Sequence, residues 1–149
     1  MSLKMTIPEL TGFMAVEFPQ VADDFVIDAL EPHRITLRLK VGDKHLRPGG
    51  TVSGPSIFAL ADVAVYLAVL AMIGPQALAV TTNTSLDFMR KPAAGADLIA
   101  ECRLLKLGRV LAVGDVLIYS HGVQVPVARA SMTYSIPPQR VVTGDETAS

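Results

Sequence analysis

The chain has 149 residues, 50% of them hydrophobic and 18% charged, with a formal net charge of -1. That is one domain with a real core, its pI near 6.3 offers no basic surface for nucleic acid, and a single cysteine, Cys102, beside three histidines excludes a disulfide framework and a Cys/His metal cluster. Aromatics are only 5% while mean hydropathy is +0.42, so the apolar excess is aliphatic and predicts either membrane association or a homo-oligomer.

The N-terminus, Met1 to Thr6, carries one Lys and no apolar run with a cleavage site, which predicts no secretory signal and a cytoplasmic, reducing location. Residues 1–24 are a lead-in segment whose first 20 or so read as a short, weakly amphipathic helix, with Ile7, Leu10, Met14 and Phe18 at helical spacing, broken by Pro8, Gly12 and Pro19. Phe25 to Leu30 is an apolar run, Glu31-Pro32-His33 a turn, and Arg34 to Val41 alternates strictly, so the two runs predict a β-hairpin. Gly42 to Ser53, with Pro48, Gly49 and Gly50, is a loop, and no Lys-Ser/Thr follows at the spacing of a phosphate loop.

Pro55 to Ile73 carries one charge, Asp62, and is bounded by Gly54-Pro55 and Gly74-Pro75, the punctuation of a helix. Strand patterns follow at Ala77 to Arg90, Asp97 to Leu107, Val110 to Tyr119 and Val125 to Ile136, separated by short turns that imply an antiparallel meander. A flexible tail is predicted over 138–149, leaving 25–137 as the folded domain.

The helix is long enough to trigger a transmembrane reading. Against that, Asp62 would cost about 2.5–3.5 kcal/mol near mid-bilayer, and neither an aromatic belt nor a Lys/Arg flank adjoins the run. A helix apolar almost all round in a soluble protein must be buried all round. An antiparallel sheet wrapped around it, with a second copy covering the rest, does this; that α+β arrangement is the hotdog fold.

The segment Gly50 to Ala64 (GTVSGPSIFALADVA) resembles the loop-helix signature of hotdog acyl-CoA thioesterases of the phenylacetate-pathway type, in which a G-x-x-H-G-G tract opens the central helix and L-x-D-x-A follows. Leu86 to Pro92, Leu107-Gly108-Arg109 and Val127 to Tyr134 are similar to that family's strand signatures, so the resemblance runs from about residue 25 to 137. It implies hydrolysis of an acyl-CoA thioester by a homodimer or dimer of dimers, with coenzyme A as part of the substrate and neither a metal nor a separate cofactor. Carried over to this sequence, Gly54 is the backbone donor to the oxyanion and Asp62 the reactive carboxylate, as general base or nucleophile. The polar run Thr81 to Ser85 in the strand that follows suggests a hydroxyl, Thr81, that orients the water or Asp62. The chemistry agrees, since N–H groups at a helix N-terminus are fixed donors aimed at developing negative charge.

Gly54 and Asp62 lie eight residues apart, about 12 Å along a helix, too far to meet at one carbonyl. The site is therefore expected to combine Gly54 of one subunit with Asp62 of its partner. Where the family has His-Gly-Gly, this chain has Ser53-Gly54-Pro55, so Ser53 is placed to cap the helix or touch substrate while Pro55 removes one donor. A loop position that is often Asn falls on Arg47, with His45 nearby, and Arg90, Lys91 and Arg109 are candidate partners of the coenzyme A phosphates. Blander roles stand beside these: a structural buried carboxylate for Asp62, an ordinary strand residue for Thr81, solvated turn charges for the basic residues. At the level of function the alternatives are a non-catalytic acyl-CoA-binding or regulatory hotdog protein and a hotdog hydratase, the latter lacking the Asp and His pair it would need on one loop.

Overall fold

A computed structural model describes residues 2–138; the predicted tail, apart from Pro138, lies outside the described residues. The elements are α1 (Ile7–Glu17), β1 (Phe25–Glu31), β2 (Arg34–Leu39), α2 (Gly54–Ile73), β3 (Val80–Phe88), β4 (Leu98–Leu107), β5 (Leu111–Ser120) and β6 (Ala128–Ser135), with single 3-10 turns at Ala22–Asp24 and Asp43–His45.

α1 runs through the residues expected to break it. Thr6 and Glu9 form a capping box, and Pro8 lies in the first turn, where its missing N–H costs nothing. Gly12 faces open space in the interior of the helix, and Leu10 and Met14 are its buried residues. The lead-in segment is tied to the end of α2 by the Lys4 N–H, which donates to the Ala71 carbonyl at 2.7 Å.

β1 and β2 form the expected hairpin, with His33 at a φ of 65° in its turn. α2 starts one residue earlier than predicted. The Ser53 hydroxyl accepts from the Ser56 N–H, and Gly74, at a φ of 93°, closes the helix by donating to the Leu70 carbonyl. By length and composition α2 could cross a bilayer, with a mean hydropathy of 2.3. Here it packs against β2, β3, β4, β5 and β6, and its residues from Ala64 to Met72 are all buried.

The six strands are antiparallel neighbours in the order β1-β2-β4-β5-β6-β3, which corrects the predicted meander. Only β4, β5 and β6 follow one another; β3 crosses to the far edge and pairs with β6. Side-chain chemistry explains the exchange. The inward residues of β2, Ile35, Leu37 and Leu39, sit opposite Cys102, Ala100 and Leu98 of β4, a fully apolar layer over α2. β3 carries Thr81, Thr82, Asn83, Thr84 and Ser85, with no fully buried side chain, and polar strands suit sheet edges.

Gly114 of β5 is where helix and sheet approach most closely: a Cβ there would lie 2.9 Å from both γ-methyls of Val65. Both residues are buried, so the crowding cannot be relieved outward. Gly114→Ala is expected to destabilise by about 1–3 kcal/mol in urea unfolding, and Val65→Ala in the same chain to return part of that loss. Additive losses in the double variant would show that the two positions do not share the space.

Candidate active site

Asp62 lies half-buried in α2, and two hydroxyls reach one of its oxygens. Thr81 Oγ1 donates to Oδ1 at 2.6 Å and Tyr134 Oη donates to the same oxygen at 2.6 Å, with the Asp62 backbone carbonyl 3.0 Å from the Tyr134 hydroxyl. Thr81 and Tyr134 are direct cross-strand partners on β3 and β6, and the register slips between Thr81 and Asn83. Such an irregularity re-aims a side chain beside a site. Oδ1 is therefore saturated and directed, and Oδ2 makes no hydrogen bond within the chain among the described residues.

The carboxylate opens on a cavity of about 430 Å³ walled by Met14, Phe18, Val63, Tyr66 and Ala79. Tyr66 is the centre of an aromatic group, with Phe18 edge-on at 5.6 Å and Tyr134 at 6.1 Å. Tyr134 is a site residue that sequence reasoning did not single out. The signal was present: Ala128, Ala130, Met132 and Tyr134 share the buried face of β6, and a phenol on such a face must find a partner.

Burial, then the charge of Asp62 and the hydrogen bond to it, pushes the Tyr134 phenol well above its ordinary 10.0. Burial, then Glu17, raises Tyr66 to about 12, and burial, then Asp115, raises Cys102 from 9.0 to about 12. All three ionise more readily in the unfolded chain, so their contribution to stability is complete below the unfolded values and is lost as pH rises through the folded ones. Urea midpoints are expected to fall between about pH 9 and 11, less steeply in Tyr66→Phe. A level midpoint over that range would overturn this assignment.

Most of the other predicted residues lie towards the opposite end of β3. Ser53 Oγ caps α2 and donates to Ser56 Oγ at 3.0 Å, and the Gly54 N–H takes no partner within the chain among the described residues. The Phe88 ring lies beside Gly54, where a Cβ would be in ordinary van der Waals contact, 3.4 Å from its Cζ. Ahead of the helix, the Ser53 N–H donates to the His45 carbonyl at 2.7 Å and the Arg47 N–H to the Thr51 carbonyl at 2.9 Å, with Gly49 and Gly50 at φ of 102° and 83°. That small hairpin sets the approach to Gly54 and leaves the Arg47 side chain exposed.

His45 is buried and engaged at both ring nitrogens. Nδ1 accepts from the Gly42 N–H at 2.9 Å, and Nε2 faces Asp24 Oδ2 at 3.4 Å. Burial pulls the Asp24 carboxyl upward, but its bonds to Lys44 and His45 outweigh this and hold it below its ordinary value. Arg90 Nη1 donates to the Pro126 carbonyl at 2.7 Å, and Lys91 beside it is exposed. Arg109, also exposed, lies in the turn between β4 and β5, where the Ile136 N–H donates to the Val110 carbonyl. Within one chain, then, Asp62, Thr81 and Tyr134 cluster near the start of β3 on the same side as Arg109, while Gly54, Ser53, Arg47, Arg90 and Lys91 lie towards its end.

One long helix packed on a six-stranded antiparallel sheet makes this a hotdog protein, and its carboxylate faces an apolar cavity. The Thioesterase superfamily profile matches residues 49–127, from the loop before α2 to the edge of β6, and the chain belongs to that superfamily. A structure from Silicibacter sp. TM1040, assigned as a thioesterase by inference, is 61% identical with a TM-score of 0.87 over 93% of this chain and 96% of that one. The phenylacetic acid degradation protein PaaI of Thermus thermophilus, solved as a mutant, is 29% identical with a TM-score of 0.69 over 80% and 99% of the two chains. A Streptococcus mutans protein solved with acetyl CoA is 25% identical, with a TM-score of 0.68 over 78% and 91%. Thioester hydrolysis is the general chemistry this membership assigns.

Proposed function

We propose that the protein hydrolyses acyl-CoA thioesters as a homodimer or dimer of dimers, with Asp62 of one subunit and the Gly54 N–H of its partner acting on one carbonyl. The observation that carries this reading is the Asp62 carboxylate, held through Oδ1 by Thr81 and Tyr134 at the wall of an apolar cavity. Oδ2 takes a proton from water as the water oxygen attacks the thioester carbon. The carbonyl oxygen gains the electron pair and is met by the N–H at the start of α2. Collapse breaks the C–S bond, and the coenzyme A thiolate leaves with the proton that Asp62 returns. Thr81 and Tyr134 are positioning residues, since neither touches the reacting atoms.

Two subunits are needed because Gly54 and Asp62 are both on α2, about 12 Å apart. β3, on the sheet edge, supplies the means. Two copies of β3 paired antiparallel set the Thr81 end of one beside the Phe88 end of the other, and so bring Asp62 towards the partner's helix N-terminus. Arg47 and Lys91, exposed near Gly54, offer cations for the coenzyme A phosphates, and the acetyl CoA held by the Streptococcus mutans relative supports that ligand.

Thiol release from acyl-CoA thioesters of varied chain length tests the reading. Turnover is expected with the purified chain. Tight acyl-CoA binding without thiol release would instead favour the binding or regulatory module.

A further inference from the structure

A second cavity, of about 420 Å³, lies along the same helix and is lined by Phe25, Leu39, Pro55, Ser56 and Ala59. Two residues line both this cavity and the one at Asp62: Val21 and Val63. The two spaces are thus successive chambers over a single face of α2, where Pro55, Ala59, Val63 and Tyr66 recur at helical spacing. The roof is the segment from Phe18 to Phe25.

Val21 is tied into that roof through its backbone. Its N–H donates to the Phe18 carbonyl at 3.2 Å, its carbonyl accepts from the Asp24 N–H at 2.9 Å, and the Lys40 N–H fastens the next turn through the Asp24 carbonyl at 2.8 Å. Both chambers are walled mainly by apolar side chains; the near one carries Asp62 and Thr81, and the far one has the Lys44–Asp24 pair, Nζ to Oδ1 2.8 Å, and His45 in its lining.

We propose that Val21, which with Val63 lines both chambers, is the partition that sets the acyl chain length this protein accepts. The acyl group fills the chamber beside Asp62, a volume at the small end of ligand cavities, and its terminal methyl stops at the Val21–Val63 constriction. The substrate class is therefore short to medium acyl thioesters. Longer chains must force the partition before their methylenes reach the apolar walls of the far chamber. The lead-in segment, in this view, is a specificity element.

This rests on the proposed function only in placing the acyl group next to Asp62. Rates with a series of saturated acyl-CoA substrates, and binding of the matching non-hydrolysable alkyl-CoA thioethers by calorimetry, are to be measured for the wild type, Val21→Ala and Val21→Phe. Val21 is 39% exposed, so neither variant disturbs the core. In Val21→Ala the optimum should move to longer chains, with kcat/KM and affinity rising about fourfold for each further methylene admitted; in Val21→Phe it should move to shorter ones. Turnover by all three proteins with one unchanged chain-length profile would overturn the partition and leave the hydrolase standing. Absence of turnover in the wild type would sink the hydrolase, and the partition would then stand or fall on whether the thioether profile moves between variants.

Discussion

Asp62→Asn is expected to lower kcat for thiol release by about 10³-fold, within the range found for loss of a general base, with affinity for a non-hydrolysable acyl-CoA analogue changed only a few-fold. The substitution is close to isosteric. An Asn carbonyl oxygen still accepts from Thr81 and Tyr134, which donate to Oδ1 at 2.6 Å each in the native site, so the helix, the cavity and the two hydroxyls keep their places. What disappears is the proton acceptor at the other oxygen. Melting within a few degrees of the wild type would confirm that the loss is chemical. Retention of activity within tenfold would return Asp62 to the role of a structural carboxylate and move the search for the base elsewhere.

The second large effect concerns the partner subunit. Gly54→Pro removes one N–H in the first turn of the helix, where proline is tolerated. Because position 54 itself precedes Pro55, a Cβ there also disfavours its helical backbone, so melting is read alongside activity. Ser53, at φ -73° and ψ 154°, already has the extended backbone that a residue before proline adopts. The modest new contact with Phe88 is an ordinary one. Loss of one oxyanion donor is expected to cost about 10²–10³ in kcat. Mixing is the sharper test. When Asp62→Asn and Gly54→Pro chains are unfolded together and refolded, hybrid dimers carry one site with both defects and one with none, so activity should recover to about a quarter of the wild type under random pairing. Refolded mixtures no more active than the separate variants would place Gly54 and Asp62 in the service of one chain's own site.

Much of this protein was legible along the chain. The strict alternation of Arg34 to Val41 and the in-phase Ala128, Ala130, Met132 and Tyr134 announced strands because pleating sends alternate residues to one face, and both are strands in the fold. The Ser53-Gly54-Pro55 start and Gly74 end of the helix were equally readable, since caps act through neighbours in sequence. The lead-in helix was less so, for Pro8 and Gly12 have local meanings that depend on where the helix begins. The strand order was not legible at all. β3 is adjacent to β4 in sequence and separated from it by β5 and β6 in space, because partner choice is settled by which apolar faces must cover α2.

The candidate site divides in the same way. Asp62 stood out as the one charge in an apolar run, and Thr81 as a polar residue in the strand that follows. Tyr134 lies 72 positions from Asp62, a separation across which no local pattern can act, and Val21 stands in a turn with no periodicity to mark it. By itself, the sequence determined the periods, the caps, the single acid of the central helix and a burden of aliphatic surface that demands cover. Only the tertiary structure decided which hydroxyls meet that acid, where β3 lies and which side chain divides the cavity, because those depend on contacts that exist only once the sheet has closed around the helix.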